Sequence, residues 1–132
     1  MPPVTERDVV RAIRLGCCEL ADLMVNAVGV ADFGTHKVTY GLGGPGGSDL
    51  VGQLRGSGRF AALEVKRPGW RPRNAKDKAR WASQVAFLKR VRRSGGIGAA
   101  VDCLEDARGV LAGELDPSAP DWVELPADRL AR

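Results

Sequence analysis

Residues 49–66 read DLVGQLRGSGRFAALEVK, a pattern that predicts two β-strands joined by a tight turn. The two halves, 49–55 and 59–66, each carry a run of apolar residues between polar ends. Gly56 and Gly58 supply the backbone freedom that such a turn requires. We therefore expect a hairpin here, and its register decides which side chains share a face.

The predicted hairpin brings two carboxylates and one amine together. Side chains at positions i and i+2 share one face of a strand, so Glu64 and Lys66 point the same way. A turn centred on Ser57 pairs residues whose numbers sum to about 114, which places Asp49 opposite Val65, give or take one residue. The Asp49 carboxylate then lies at the edge of the face that carries Glu64 and Lys66. A slip of one residue would reverse the strand face and undo this convergence.

Such a cluster suits a hard divalent cation. Two carboxylates held close together raise one of their pKa values, and a cation removes that conflict. Mg²⁺ prefers oxygen ligands and typically needs only one or two carboxylates. Asp49, Glu64 and the Val65 carbonyl would supply the ligands, while Lys66 would orient water or neutralise a phosphate. This chemistry is phosphodiester hydrolysis; the alternative is a surface salt bridge of Lys66, which contributes about 0–1 kcal/mol.

The flanking patterns predict a mixed α/β sheet with helices beside it. Thr5 is a good N-cap for a first helix, and Gly95 and Gly96 would stop a later one. The expected elements are a helix over 5–24, strands over 24–30 and 36–42, the hairpin, a helix over 82–91, a strand over 97–101 and a helix over 104–112. The predicted order is therefore a helix, three or four strands, a helix, a strand and a helix, with a core of α-β-β-β-α-β.

Length and hydropathy favour one domain without a membrane segment. The chain has 132 residues and is 44% hydrophobic, which allows one modest core. No apolar run approaches the roughly 20 residues that span a bilayer, and the start, MPPVTERDVVR, lacks the apolar stretch of a signal peptide. We expect a single domain over residues 1–132, located in the cytoplasm. The cysteines Cys17, Cys18 and Cys103 fit no zinc pattern.

Charge is distributed unevenly along the chain. From Lys66 to Arg93 there are eleven Lys and Arg and one acid, Asp77. From Val101 onward there are eight acids and three bases. A basic middle followed by an acidic end favours one face that binds a polyanion. The alternative is an ordinary solvated loop and helix.

Three segments together resemble a known family. GGSDLVGQL (46–54), FAALEVKRPG (60–69) and SQVAFLKRVRRSGGIGAAV (83–101) resemble the VRR-NUC family of the PD-(D/E)xK nuclease superfamily. TERDVVRAI, from Thr5, matches the family's N-terminal helix with an early Glu. The resemblance covers about 5–106. In the family a Pro precedes the Asp, where this chain has Ser48, and the segment before Gln84 looks longer here.

The resemblance implies a restriction-endonuclease-like core over about 5–106, a basic insertion over about 68–83 and a C-terminal appendage over about 107–132. It implies Mg²⁺ or Mn²⁺ bound by Asp49 and Glu64, Lys66 as the catalytic lysine and Gln84 positioning water or substrate. Glu6 would be an accessory carboxylate. Stand-alone members are small phage or bacterial enzymes, often homodimers, that act on branched DNA such as Holliday junctions and flaps.

The basic middle of the chain supplies the expected DNA contacts. Phosphate contacts of this kind position a nucleic acid without reading its sequence. The predicted contact residues are Arg67, Arg71, Arg73, Lys76, Lys78, Arg80, Lys89, Arg92 and Arg93. The alternatives are a non-catalytic nucleic-acid-binding module that keeps the nuclease fold, and a scaffold whose basic segment binds an acidic partner.

Overall fold

A four-stranded mixed sheet with helices against both faces organises residues 2–115, the part of the chain that the computed structural model describes. The elements are α1 (Glu6–Gly16), β1 (Ala21–Val25), β2 (Gly29–Asp32), β3 (Lys37–Tyr40), β4 (Leu50–Leu54), β5 (Phe60–Val65), α2 (Ala75–Arg93), β6 (Ile97–Val101) and α3 (Leu104–Leu111). The strand order is β1-β4-β5-β6, with only β5 and β6 parallel. The mixed α/β class is confirmed.

The alternation of side chains along β5 divides the core into two layers. Leu63 points to the layer shared with α1 and α3, where it packs in one buried cluster with Ile13 and Val110. The neighbouring Ala62 points to the other layer, against Leu88 of α2. Because Glu64 is two residues after Ala62, its side chain points toward α2.

The register of the central hairpin agrees with the predicted one within its stated tolerance. Leu50 pairs with Leu63 and Val51 with Ala62, so paired numbers sum to 113. Continuing that register places Asp49 beside Glu64, one residue from the predicted position. Residues directly opposite each other share a face, so the observed register favours their convergence.

The first helix is shorter than predicted, because Gly16 ends it. The Cys17 N–H caps the helix on the Ile13 carbonyl, and the Ala21 N–H then returns to the Cys17 carbonyl. Residues 21–25, of which 21–24 were predicted as helix, form edge strand β1 against β4. As an edge strand, this segment forms ladder hydrogen bonds with β4 along one side, and this pairing outweighs a helical spacing of apolar residues.

The order of elements before α2 also differs from the prediction. Five strands precede α2, where three or four were predicted, because the segment expected as one strand over 24–30 is divided between β1 and β2. β1 joins the sheet, and β2 and β3 pair only with each other. The helix predicted over 82–91 begins at Ala75, so residues 75–83 of the basic insertion are helical. Asn74 is the N-cap of this helix, because its side chain accepts the Asp77 N–H at 2.8 Å. Asn three residues before an acidic residue is a sequence pattern typical of a helix start.

The C-terminal elements follow the sequence pattern closely. The strand over 97–101 is confirmed, and the last helix ends one residue earlier than predicted. Ala107 and Leu111 of α3 are buried in the core, so packed structure continues into the predicted appendage. Its remaining residues, 116–132, lie outside the described chain. Between residues 2 and 115, no helix is both long and apolar enough to cross a bilayer.

Candidate active site

Four predicted site residues meet at one end of the sheet. Asp49 precedes β4, Glu64 lies in β5, Lys66 follows β5, and Gln84 comes from α2. Lys66 Nζ donates to Gln84 Oε1 at 3.0 Å, and Gln84 Nε2 donates to Glu64 Oε1 at 3.3 Å. The Val65 N–H donates to Asp49 Oδ2 at 2.8 Å, which holds this carboxylate against β5.

Glu64 is the most unusual member of the group. It is 2% exposed, and its Oε2 has no hydrogen-bond donor. Burial, the hydrogen bond that Glu64 makes with Asp49 when it is protonated, and the negative charge of Asp49 raise the pKa of Glu64 well above the ordinary range, against the opposing effect of Lys66. Only a protonated Glu64 could donate to Asp49, so two ionised carboxylates here conflict unless a cation lies between them.

Lys66 is enclosed by polar and aromatic groups. Only 5% of the residue is exposed, and its Nζ lies 4.3 Å from the ring centroid of Trp70 and 5.3 Å from that of Trp81. Within the described residues the ion pairs lie elsewhere, and none includes Lys66. A surface salt bridge is therefore the wrong interpretation of this lysine. Its amine is held by Gln84 and by cation–π contacts, which restrict where it can point.

Glu6 approaches the same site from the other helical layer. Burial and the charge of Asp49 raise the Glu6 pKa, while Lys66 and Arg67 lower it, so the carboxylate is electrostatically part of the group. Among the described residues, Glu6, Asp49 and Glu64 do not form a group whose ligand atoms all lie within 4.8 Å of one another.

Asn26 is a site-supporting residue that the sequence did not single out. Its amide donates to the Leu42 and Ser48 carbonyls at 2.8 and 3.0 Å and accepts the Leu42 N–H at 2.9 Å. Its own N–H donates to the Asp49 carbonyl at 2.8 Å. Asn26 therefore closes the glycine-rich segment 42–48 into a fixed loop and anchors the backbone of Asp49.

The predicted DNA-contact residues differ in their surroundings. Lys78, Lys89 and Arg93 line an open groove of about 560 Å³ on α2. Exposed side chains before and within the start of α2 are Arg71, Arg73, Lys76 and Arg80, and Arg67 is half-buried near the carboxylates. Arg92 Nη1 donates to the Gly98 carbonyl at 2.6 Å, so this residue also joins α2 to β6.

A second acidic group lies after β6 and includes a thiol. Ligand atoms of Asp102, Cys103 and Asp106 all lie within 4.8 Å of one another. Cys103 is the N-cap of α3, where its Sγ accepts the Asp106 N–H, and burial raises the pKa of its thiol. The capping contact between Cys103 and Asp106 accounts for the proximity of these two residues.

Comparison with known proteins did not identify a relative of this chain. None of the family models, curated proteins or solved structures compared with the chain matches it significantly. The functional interpretation therefore rests on the residues and their geometry.

Proposed function

We propose that the protein is a metal-dependent endonuclease of the PD-(D/E)xK type that hydrolyses phosphodiester bonds in DNA. The main support is the buried Glu64 carboxylate, which has an oxygen without a donor and lies beside Asp49. A buried unpaired carboxylate destabilises a fold, so its presence at the end of a sheet favours a functional role. Lys66 and Gln84 on the same face complete the set that this chemistry uses.

The donor set fits Mg²⁺ or Mn²⁺. Asp49 and Glu64 would hold the ion through hard oxygen atoms, with the Val65 carbonyl as a further ligand and Glu6 as an accessory carboxylate. When bound, the ion would supply charge stabilisation at the phosphate and a more acidic water. Cysteine and histidine, which softer metals prefer, are not part of this group.

Lys66 and Gln84 are positioning and charge-stabilising groups in this proposal. The Lys66 ammonium is pre-oriented by Gln84 Oε1 and two indole rings, so it need not reorganise when negative charge develops on the phosphate. Gln84 contacts both Lys66 and Glu64 and thereby fixes the distance between the amine and the carboxylate.

The distribution of basic residues supports a nucleic-acid substrate. The groove with Lys78, Lys89 and Arg93 lies on the same helix that delivers Gln84. These side chains would contact phosphates and not base edges, which favours selection of DNA by shape, as at a junction or flap. We include a homodimer in this proposal, because two copies of the chain would provide one active site for each of two paired cuts.

A substrate panel tests the proposal directly. Four-way junction, flap, fork and linear duplex DNA are incubated with Mg²⁺ or Mn²⁺ and wild type, Asp49→Asn or Lys66→Ala, with Lys37→Ala on the exposed β3 as the matched surface control. We expect cleavage by wild type and by the control, and a loss of about 10²–10³-fold or more in the two site variants. Equal cleavage by all four proteins would refute the catalytic assignment. Tight DNA binding without cleavage would favour a non-catalytic binding module.

A further inference from the structure

A second groove, on the side of the sheet opposite α2, adjoins the candidate site. It lies between α1 and the edge strand β1, has a volume of about 810 Å³, and includes Glu6 at one end. We call it the α1 groove and define it by Arg7, Arg11, Arg14, Leu15, Leu23 and Val25. None of these residues was predicted to bind DNA.

Three arginines give the α1 groove a cationic wall. Arg7, Arg11 and Arg14 follow one another at steps of four and three residues, so they share one face of α1. All three are exposed, and no ion pair in the described part of the chain includes them. Asp8, an acid on the same helix, is engaged with Thr5 in a capping box. The wall is therefore available to an anion.

The floor of the groove is apolar. Leu15 is 74% exposed and Val25 is 50% exposed, with the half-buried Leu23 beside them. A duplex presents phosphates but keeps the faces of its bases stacked inside. A single strand presents phosphates and free base faces together, which matches a cationic wall beside an apolar floor.

The position of Glu6 connects this groove to the candidate site. Glu6 borders the α1 groove and is also electrostatically coupled to Asp49 and Lys66. The basic groove of α2, on the opposite face of the sheet, includes Trp81, whose ring centroid lies 5.3 Å from Lys66 Nζ in the candidate site. Two cationic paths therefore diverge from one point, as the arms of a branched nucleic acid do.

We propose that the α1 groove binds a single-stranded arm of the DNA substrate, while α2 contacts the duplex arm. This inference rests on the nuclease function proposed above and specifies the substrate as DNA with a single-stranded arm next to a duplex. Arg7, Arg11 and Arg14 contact successive phosphates, and Leu15 and Val25 contact the exposed bases.

Binding measured without cleavage tests the inference separately from catalysis. Fluorescence anisotropy in EDTA follows labelled oligothymidylate, a blunt duplex and a forked DNA across a salt series. The variants are Arg7→Ala/Arg11→Ala/Arg14→Ala, Leu15→Ser, and Lys37→Ala as a control, each checked for an unchanged melting temperature.

The triple variant should bind oligothymidylate and the fork roughly tenfold more weakly, with duplex affinity nearly unchanged. The slope of the logarithm of the association constant against the logarithm of salt concentration should become smaller in magnitude by about 2 for this variant. Each of the three lost phosphate contacts on a single strand contributes about 0.7 to that slope. Leu15→Ser should weaken single-strand binding without changing that slope.

Three outcomes would overturn the inference. The first is unchanged single-strand binding by the triple variant. The second is an equal loss for duplex and single strand, which would indicate a general polyanion surface. The third is a change from dimer to monomer in sedimentation, which would make the groove an interface between copies of the chain. Wild-type binding without any cleavage would refute the nuclease proposal and leave the groove assignment standing.

Discussion

Glu64→Gln should stabilise the metal-free protein, although it removes a proposed metal ligand. The substitution keeps the size of the side chain and its acceptor for Gln84 Nε2. It replaces the oxygen that lacks a donor with an amide that can donate toward Asp49. A buried unsatisfied polar group costs about 1–3 kcal/mol, and more when it is charged. We therefore expect a gain of about 1–3 kcal/mol in the free energy of unfolding near pH 8.

The gain should depend on pH in a defined direction. The pKa of Glu64 is raised in the folded state, so this group's contribution to stability is fully present below the pKa it has in the unfolded chain and is lost as pH rises through the folded pKa. The difference between variant and wild type should thus be largest at alkaline pH and fade toward pH 4.

Thermal denaturation followed by circular dichroism measures this effect. At about 4 °C per kcal/mol for a chain of this size, the melting temperature should rise by about 4–12 °C at pH 8 in EDTA. Mn²⁺ should stabilise wild type by about 2.7 kcal/mol at a hundred times its Kd, and Glu64→Gln far less. Glu105→Gln, an exposed isosteric control in the first turn of α3, should be neutral or slightly destabilising. A Glu64→Gln protein less stable than wild type in EDTA at pH 8 would falsify the reasoning.

Two further substitutions test how the site is supported. Asn26→Ala removes three side-chain hydrogen bonds to the glycine-rich loop. We expect the free energy of unfolding, measured by chemical denaturation, to fall by about 1–3 kcal/mol, and calorimetry to show weaker Mn²⁺ binding. Unchanged values for both would contradict an anchoring role. Gly52→Ala would place a Cβ 1.7 Å from the Asp22 carbonyl oxygen across the β1–β4 pair. We therefore expect the free energy of unfolding to fall by about 3 kcal/mol or more. An unchanged melting temperature would show that β1 does not hold this position.

Much of the central architecture was readable because it depends on local pattern. Glycines at 56 and 58 fixed the turn, and alternation along 60–65 fixed which side chains accompany Glu64. The short apolar run at 97–101, which follows two glycines, was correctly predicted as a buried strand. The first helix was predicted too long because residues 21–25 pair with β4, and no local pattern in those residues indicates a partner 25 to 33 positions away.

The amino-acid sequence alone was enough to propose a hairpin that carries Asp49, Glu64 and Lys66 on nearly one face, since side-chain direction on a strand follows a period of two. The sequence could not predict which groups surround these three side chains. Gln84 contacts both Glu64 and Lys66, the Trp81 ring lies beside the amine, and Asn26 anchors Asp49, so each of these contacts joins separate segments of the chain. The burial of Glu64 depends on the same packing. Such contacts arise only when helices pack on the sheet, because packing brings together residues whose separation along the chain carries no periodic signal.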